Sequence, residues 1–276
     1  MLIIGNGRLV TRDAEQPFFE NGAVAVDGER ICRVGTLEEV RRAFPDGEFV
    51  DARGGLIMPA FINTHEHIYS AMARGLSIKG YDPKGFLDIL DGMWWTIDRH
   101  LTNEQTRQSA RITFLDSIKN GVTTVFDHHA SFGEIHDSLF AIEDAAEEFG
   151  VRACLCYEVS DRDGKDKARA AVLENAAWIR HALQDKSGMI AGMMGMHAQF
   201  TISDETMALA AEHKPAQVGY HIHVAEGIED LHHCLKHYGK RIVDRVMDWN
   251  ILGDKTLLAH CIYINPHEMD LIKDKD

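Results

Sequence analysis

The chain has 276 residues, 45% hydrophobic and 26% charged, enough for one large domain or a domain plus a smaller module. A formal net charge of −14, spread along the chain, argues against a nucleic-acid backbone or an anionic membrane surface as the main partner. No run approaches the roughly 18 apolar residues of a membrane-spanning helix, and Met1–Gly7 lacks the basic, apolar pattern of a signal peptide. Cys32, Cys154, Cys156, Cys234 and Cys261 form no C-x-x-C pair, so reduced thiols in a cytosolic protein are expected rather than a disulfide framework.

Residues 1–58 read as short strands broken by Gly, Asn and Asp: Leu2–Val10, Ala23–Val26, Arg30–Val34 and Gly55–Met58, with a hairpin turn at Asp27-Gly28 and a short helix over Glu38–Phe44. This is a small β module, unable to stand alone. Past Pro59 the rhythm changes. Phe61–Thr64 reads as a buried strand, and 70–103 as a long irregular stretch with adjacent Trp94 and Trp95, the kind of loop that more often works as a lid than as a linker. Strands near 122–127, 151–157, 190–196, 217–224 and 256–260 then alternate with helices over about 104–120, 135–149, 165–185, 203–213 and 227–248, and a last helix starts near Pro266. Strands alternating with helices of that length predict parallel βα units. Six such strands fall two short of a closed eight-stranded barrel.

With 16 histidines, about one H-x-H pair is expected by chance, and two occur, His65/His67 and His221/His223. Spacing alone therefore proves little. Position says more, because the chemistry of a (β/α) barrel sits at the C-terminal ends of its strands. His65 and His67 end the first predicted strand, Asp127-His128-His129 the second, His197 the fourth, His221 and His223 the fifth and His260 the sixth. Alternation along a strand points His65 and His67 to one face, where both imidazoles can reach one cation. Each histidine alone is more often a hydrogen-bonded core residue than a ligand; their convergence favours a metal centre.

The ordered set Asp51, Gly55, Pro59, Phe61, His65-Glu66-His67, His197, His223-x-x-Glu226 and His260 resembles the amidohydrolase superfamily, most nearly its branch of cytosine, guanine and S-adenosylhomocysteine deaminases and chlorohydrolases. Phe61–Ser70 and Gly195–Thr201 are similar to the SsnA-type aminohydrolases. The resemblance implies an α/β fold: a metal-dependent (β/α)8-type barrel, here incomplete at about six βα units over 59–276, joined to a β-sandwich of which 1–58 is the N-terminal part. Carried onto matching positions, it implies that His65, His67 and His223 bind one divalent metal, zinc first and iron or nickel as alternatives. Glu226 would shuttle the proton, and His260 would polarise the group under attack or hold the water. His197 would contact a small-molecule substrate, and Trp94, Trp95 and His128 are further candidates for the pocket wall. The implied activity is hydrolysis of a C–N bond, other than a peptide bond, in a cyclic amidine or purine-like ring, with a homodimer as the full-length assembly.

The chain departs from that pattern in places. Ala60 stands where Gly is usual, and Glu66 separates the paired histidines, where it alternates away from the metal face. The superfamily's Asp after strand eight has no counterpart, since Asp270, Asp274 and Asp276 lie in other contexts. The polypeptide therefore reads as the N-terminal part of a longer enzyme, inactive alone, with open sheet edges as an aggregation hazard. A chlorohydrolase or ring-amide hydrolase on the same scaffold, or a non-catalytic metal-binding protein, are the competing readings. His221 is expected one layer deeper than His223, in the core.

Overall fold

In β1 (Leu2–Val10) the alternate residues Ile3 and Leu9 turn inward, and the strand pairs antiparallel with β2 (Phe18–Asp27). The structure, a computed structural model, describes residues 1–275; within it Met1–Phe61 forms one unit and Ile62–Asp276 another. Asp276 itself lies outside the described residues.

The first unit is a single sheet. β2 turns back into β3 (Arg30–Thr36) at Asp27-Gly28, where Gly28 takes the left-handed φ of +58° that such a tight hairpin requires. α1 (Leu37–Ala43) starts at a capping box between Thr36 and Glu39, one residue earlier than its apolar pattern suggests. β4 (Glu48–Asp51) and β5 (Leu56–Ile57) both pair parallel with β1. β4 was not legible in the sequence, because Phe49 and Val50 alone carry its apolar signal between two acids. Ile3, Ala23, Ala25 and Val40 make the small core.

The second unit is built from parallel βα repeats, as the alternation predicts. β6 (Phe61–Glu66) leads into a 3-10 turn (Ile68–Ala73), and then α2 (Phe86–Ile89), a π-helical turn (Leu90–Trp94) and α3 (Trp95–Asp98) run on as one broken helix. α4 (Asn103–Lys119) opens on a Thr102/Gln105 capping box. There follow β7 (Val122–His129), α5 (Ser138–Phe149), β8 (Arg152–Tyr157), α6 (Lys165–Ala182), β9 (Ile190–Gly192), β10 (Met194–Ala198), α7 (Asp204–His213), β11 (Tyr220–Val224), α8 (Ile228–Tyr238), α9 (Ile242–Asp248), β12 (Leu257–His260) and α10 (Pro266–Lys273). The predicted helix 227–248 is two helices, because Gly239 adopts a left-handed φ of +64° and ends α8.

Sheet order is β6-β7-β8-β9 on one side and β10-β11-β12 on the other. The predicted strand 190–196 thus changes partner at Met193: β9 pairs parallel with β8 and β10 pairs parallel with β11. One bridge, Val159 to Met196, joins the two halves. The gap is stitched by buried Asn175 of α6, which accepts from the Tyr157 N–H (2.9 Å) and the Gly195 N–H (3.1 Å) and donates to the Tyr157 carbonyl (2.8 Å). The arrangement is a partial (β/α) barrel of six strand positions. Its core combines Val125, Leu155, Met194, Met196, Ile222 and Val224 from the strands with Phe114, Leu139, Trp178 and Ile179 from the helices.

Gly195 sits where β10 presses on β8. A Cβ there would lie 2.2 Å from the Tyr157 carbonyl oxygen and 2.9 Å from Cys156 Sγ, a backbone contact that cannot rotate away. Gly195→Ala is therefore expected to lower unfolding stability by about 1–3 kcal/mol, read as a lower urea midpoint at unchanged slope. An unchanged midpoint would mean that β10 lies farther from β8 than described.

Candidate metal centre

His65 near the end of β6, His67 just after it and His223 in β11 bring one ring nitrogen each to within 4.8 Å of the others. Alternation along β6 makes this possible, since residues two apart share a face. The His67 and His223 Nε2 atoms are 3.2 Å apart. Ligands about 2.0–2.1 Å from a tetrahedral cation would stand roughly 3.3–3.4 Å apart. His67 Nδ1 lies 2.8 Å from the His128 carbonyl, a contact in which the ring must donate, leaving Nε2 with its lone pair. His65 Nδ1 lies 2.9 Å from His221 Nε2, while His65 Nε2 is buried without any partner. If His65 donates through Nδ1, His221 passes the pattern on toward Cys156 Sγ, 3.6 Å from its Nδ1.

Burial holds these rings neutral. Desolvation, followed by the neighbouring imidazoles, pushes His65 down to about 3, and burial pushes His67 down to about 4 and His223 well below the ordinary imidazole value. Neutral rings are the ligand form, and orphaned His65 Nε2, the free Nε2 of His67 and the His223 Nε2 that faces it at 3.2 Å are a donor set that fits a borderline divalent cation.

The loops after the strands are bent sharply toward this cluster. Ala225 (φ +52°), His260 (φ +72°) and Cys261 (φ +54°) all occupy the left-handed region, a strain of about 1–3 kcal/mol each that surrounding contacts must hold. At Ala225 the holder is Asp230, which accepts its N–H at 3.0 Å and is itself gripped by Gln199. Arg245 of α9 closes the network by donating to the Gln199 main-chain and side-chain oxygens (2.8 and 2.9 Å). The bend places Glu226 3.5 Å from His260 Nε2. Desolvation raises Glu226 to about 7, with the Asp230 charge adding to it.

All of these groups open on one cavity of about 340 Å³, lined by His65, His67, His197, His223, Glu226 and His260 on the strand side and by Tyr69, Phe86, Leu90, Trp94 and Trp95 on the other. The helical stretch over α2, the π turn and α3 supplies Phe86, Leu90, Trp94 and Trp95 of that wall, with the Trp95 ring 6.0 Å from that of His197 and the Trp94 ring 6.3 Å from that of Tyr69. A larger cleft of about 570 Å³ shares Ser70 and Trp94 but holds no converging imidazoles, so the smaller cavity is the chemical site.

A profile of the amidohydrolase family matches residues 56–276. The chain belongs to the amidohydrolase family. A short stretch, 22–46, also matches a bacterial imidazolonepropionase-like composite domain. The chain is 28% identical over 276 residues to a 5'-deoxyadenosine deaminase of Methanococcoides burtonii and 27% identical over 279 residues to a 5-methylthioadenosine/S-adenosylhomocysteine deaminase of Desulforamulus reducens. It covers 100% and 99% of itself in these matches and spans 60% of the length of each relative. Among solved structures, atrazine chlorohydrolase TrzN from Arthrobacter aurescens complexed with zinc shares the fold at TM-score 0.82 and 22% identity, over all of this chain and 64% of that one. E. coli guanine deaminase does so at TM-score 0.80 and 22% identity, over all of this chain and 66% of that one.

In this amidohydrolase the expected residues His65, His67, His197, His223, Glu226, His260, Trp94 and Trp95 all line one cavity. His128 does not. It is wholly buried, its ring 4.3 Å from that of His223, with Nε2 3.0 Å from the Met196 carbonyl, so it packs behind the cluster instead of forming the pocket wall. The reason is packing: His128, in β7, is enclosed by the rings of His67, His221 and His223 and by the Met196 carbonyl. His221 is buried as expected, yet it touches His65 directly. Glu66 turns to Asn63 (2.7 Å), and Asp127 accepts the Ile68 N–H (2.7 Å), anchoring the turn after His67. Sequence reasoning missed Glu158, Tyr69 and Phe86 on the cavity wall. Glu158 is the first residue after β8, so its place at a strand end was the available signal. No helix is long and apolar enough to cross a membrane among the described residues.

His65→Ala removes a ring nitrogen of the cluster that is buried without a partner, and is expected to reduce bound divalent metal of the purified protein from near one per chain to a small fraction. Elemental analysis reads this directly. Equal stoichiometric metal in both proteins would sink the ligand assignment.

Proposed function

We infer that the protein hydrolyses a C–N bond of a cyclic amidine or purine-like ring and releases ammonia, with His65, His67 and His223 holding one divalent cation. The observation that carries this reading is that the partnerless face of the imidazole cluster, Glu226 and His260 all open on a single cavity walled by Trp94, Trp95 and Phe86. A cation held there supplies Lewis acidity and brings water to a nucleophilic form near neutral pH. Zinc is the first choice for three imidazoles, with iron and nickel as alternatives.

The chain's own groups account for the remaining requirements. A flat heteroaromatic ring fits against the indoles, whose faces stack with it. Glu226, raised to about 7, is poised to take a proton from the attacking water and return it to the departing amine, since a transfer group works best when its pKa is near the working pH. His260, 3.5 Å from Glu226, polarises the group under attack or holds the attacking water within reach of that carboxylate. His197 is fixed by its 2.7 Å hydrogen bond with Thr201 Oγ1 and contacts the substrate from the fourth strand position. The relatives named for 5'-deoxyadenosine and 5-methylthioadenosine support a deaminase of a purine-containing small molecule, and the similarity of Phe61–Ser70 and Gly195–Thr201 supports assigning it to the SsnA-type aminohydrolase group. We assign the activity to the whole protein, as a cytosolic homodimer in which residues 1–58 contribute to a β-sandwich and a carboxylate beyond the sixth strand position completes the site.

Ammonia release across purines, pterins and guanidino compounds tests the reading on the native protein. Glu226→Gln is expected to lower kcat roughly 10²–10⁴-fold while bound metal stays unchanged; a near-wild-type rate would remove Glu226 from the chemistry.

Because Glu226 must be ionised to accept the proton and burial raises it to about 7, kcat/KM is expected to rise with pH and level off above that value. A profile flat from about pH 5.5 to about 8.5 (about 1.5 units either side of that value) would contradict the assignment.

A further inference from the structure

Glu158 is a buried acid, 3% exposed, with its side chain on the wall of the same cavity and no role in the chemistry above. Its backbone is fixed: the N–H donates to the His129 carbonyl at 2.7 Å, just beyond β8. Its carboxyl is not. Among the described residues its one side-chain hydrogen bond is a long contact of 3.5 Å from Arg162 Nη2. Arg162 is already committed to Asp98, donating from Nη1 at 3.2 Å and Nη2 at 2.6 Å, and its guanidinium lies over Phe132 at 4.0 Å. The other oxygen, Oε2, is 3.7 Å from His128 Nδ1. That nitrogen is a poor donor, because the Nε2 of the same ring faces the Met196 carbonyl and so carries the proton.

A carboxyl offers about four lone-pair positions, and leaving them unmet in a buried site is costly. The neighbouring ion pair keeps Glu158 in place without satisfying it, and the unused capacity faces the cavity. We propose that Glu158 recognises the substrate through an amidine edge, a ring nitrogen beside an N–H donor, that is additional to the edge undergoing hydrolysis. This rests on the reading of the cavity as a heteroaromatic site and names its substrate class. A carboxyl and an amidine edge make the same two parallel hydrogen bonds whichever of them carries the shared proton. The Asp98–Arg162 pair, buried beneath, acts as a positioning element that holds Glu158 at the wall.

The test uses the native, metal-loaded protein and two probes that differ in a single amino group beside a ring nitrogen, 9-methyl-2,6-diaminopurine and 9-methyladenine. Binding is followed by quenching of Trp94 and Trp95 fluorescence. The wild type is expected to prefer the diamino compound roughly 10- to 100-fold. Glu158→Leu should abolish that preference with metal content unchanged, and Glu158→Gln should restore most of it, because an amide also presents one donor beside one acceptor. Thermal melting of each variant shows that it is folded. The same preference in Glu158→Leu as in the wild type would overturn the proposal, as would the absence of any preference in the wild type. Loss of metal from folded Glu158→Gln would overturn it too, by making Glu158 a cation ligand. If the preference follows this pattern while no ammonia is released from any ring, the proposal for Glu158 stands and the deaminase reading is the one that fails.

Discussion

The centre depends on keeping a crowd of imidazoles uncharged. His65 has ring centroids of His67, His221, His223 and His260 all within 5.1 Å. Two protonated rings at about 5 Å would repel by roughly 3 kcal/mol at an effective dielectric near 20, and burial adds a desolvation penalty to every charge. The cluster is therefore stable only as neutral rings, and neutral rings present lone pairs. The electrostatic condition for folding is the same as the condition for binding a cation. The contacts behind the cluster, His67 with the His128 carbonyl and His65 with His221, fix orientation without adding charge.

The carboxylates around the cavity are held apart by their supports. Glu226 sits on a strained bend, braced by the Asp230–Gln199–Arg245 network, and faces His260. Glu158 sits directly on a strand end, above the Asp98–Arg162 pair. Desolvation raises both, to about 7 for Glu226 and about 8 for Glu158, where the nearby Arg162 charge pulls the other way. A group more open to the cavity, beside a histidine that lines it, suits proton movement. A group enclosed beside a spent guanidinium suits recognition. The division follows from what lies behind each carboxyl, not from the carboxyls themselves.

Much of this was legible in the sequence because the signals are periodic. Strand residues two apart share a face, so His65-x-His67 and the strand-end positions of His197, His223 and His260 announced a convergent site, and the βα alternation announced the parallel layer. What stayed hidden has no period. The switch of partner at Met193 arises from the stitching by Asn175, a single polar residue in the middle of an amphipathic helix. The break at Gly239 divides a continuous helical pattern at one left-handed residue. His128 packs behind the cavity lining, against the Met196 carbonyl, because a place at the end of a strand does not determine what encloses a ring. Glu158 carried only its strand-end position as a signal, because a lone acid after a strand looks like any solvated residue until the enclosing Asp98, Arg162 and Phe132 are in place.

The two sides of the cavity come from different kinds of structure. The imidazole nitrogens proposed to hold the cation stand on or next to β6 and β11, strands whose neighbours are packed in the core, and that packing fixes their spacing. The aromatic wall stands on a helix broken by a π turn, with Phe86, Trp94 and Trp95 only partly buried. A local change of a few ångströms in that wall alters which ring it accepts while the imidazole nitrogens keep their distances. Chemistry and specificity are thus mechanically separable here, and Glu158 is the polar exception, a recognition group placed on the rigid side. A donor edge read from the rigid side fixes the ring relative to the cation, whereas the indoles can only fix its plane.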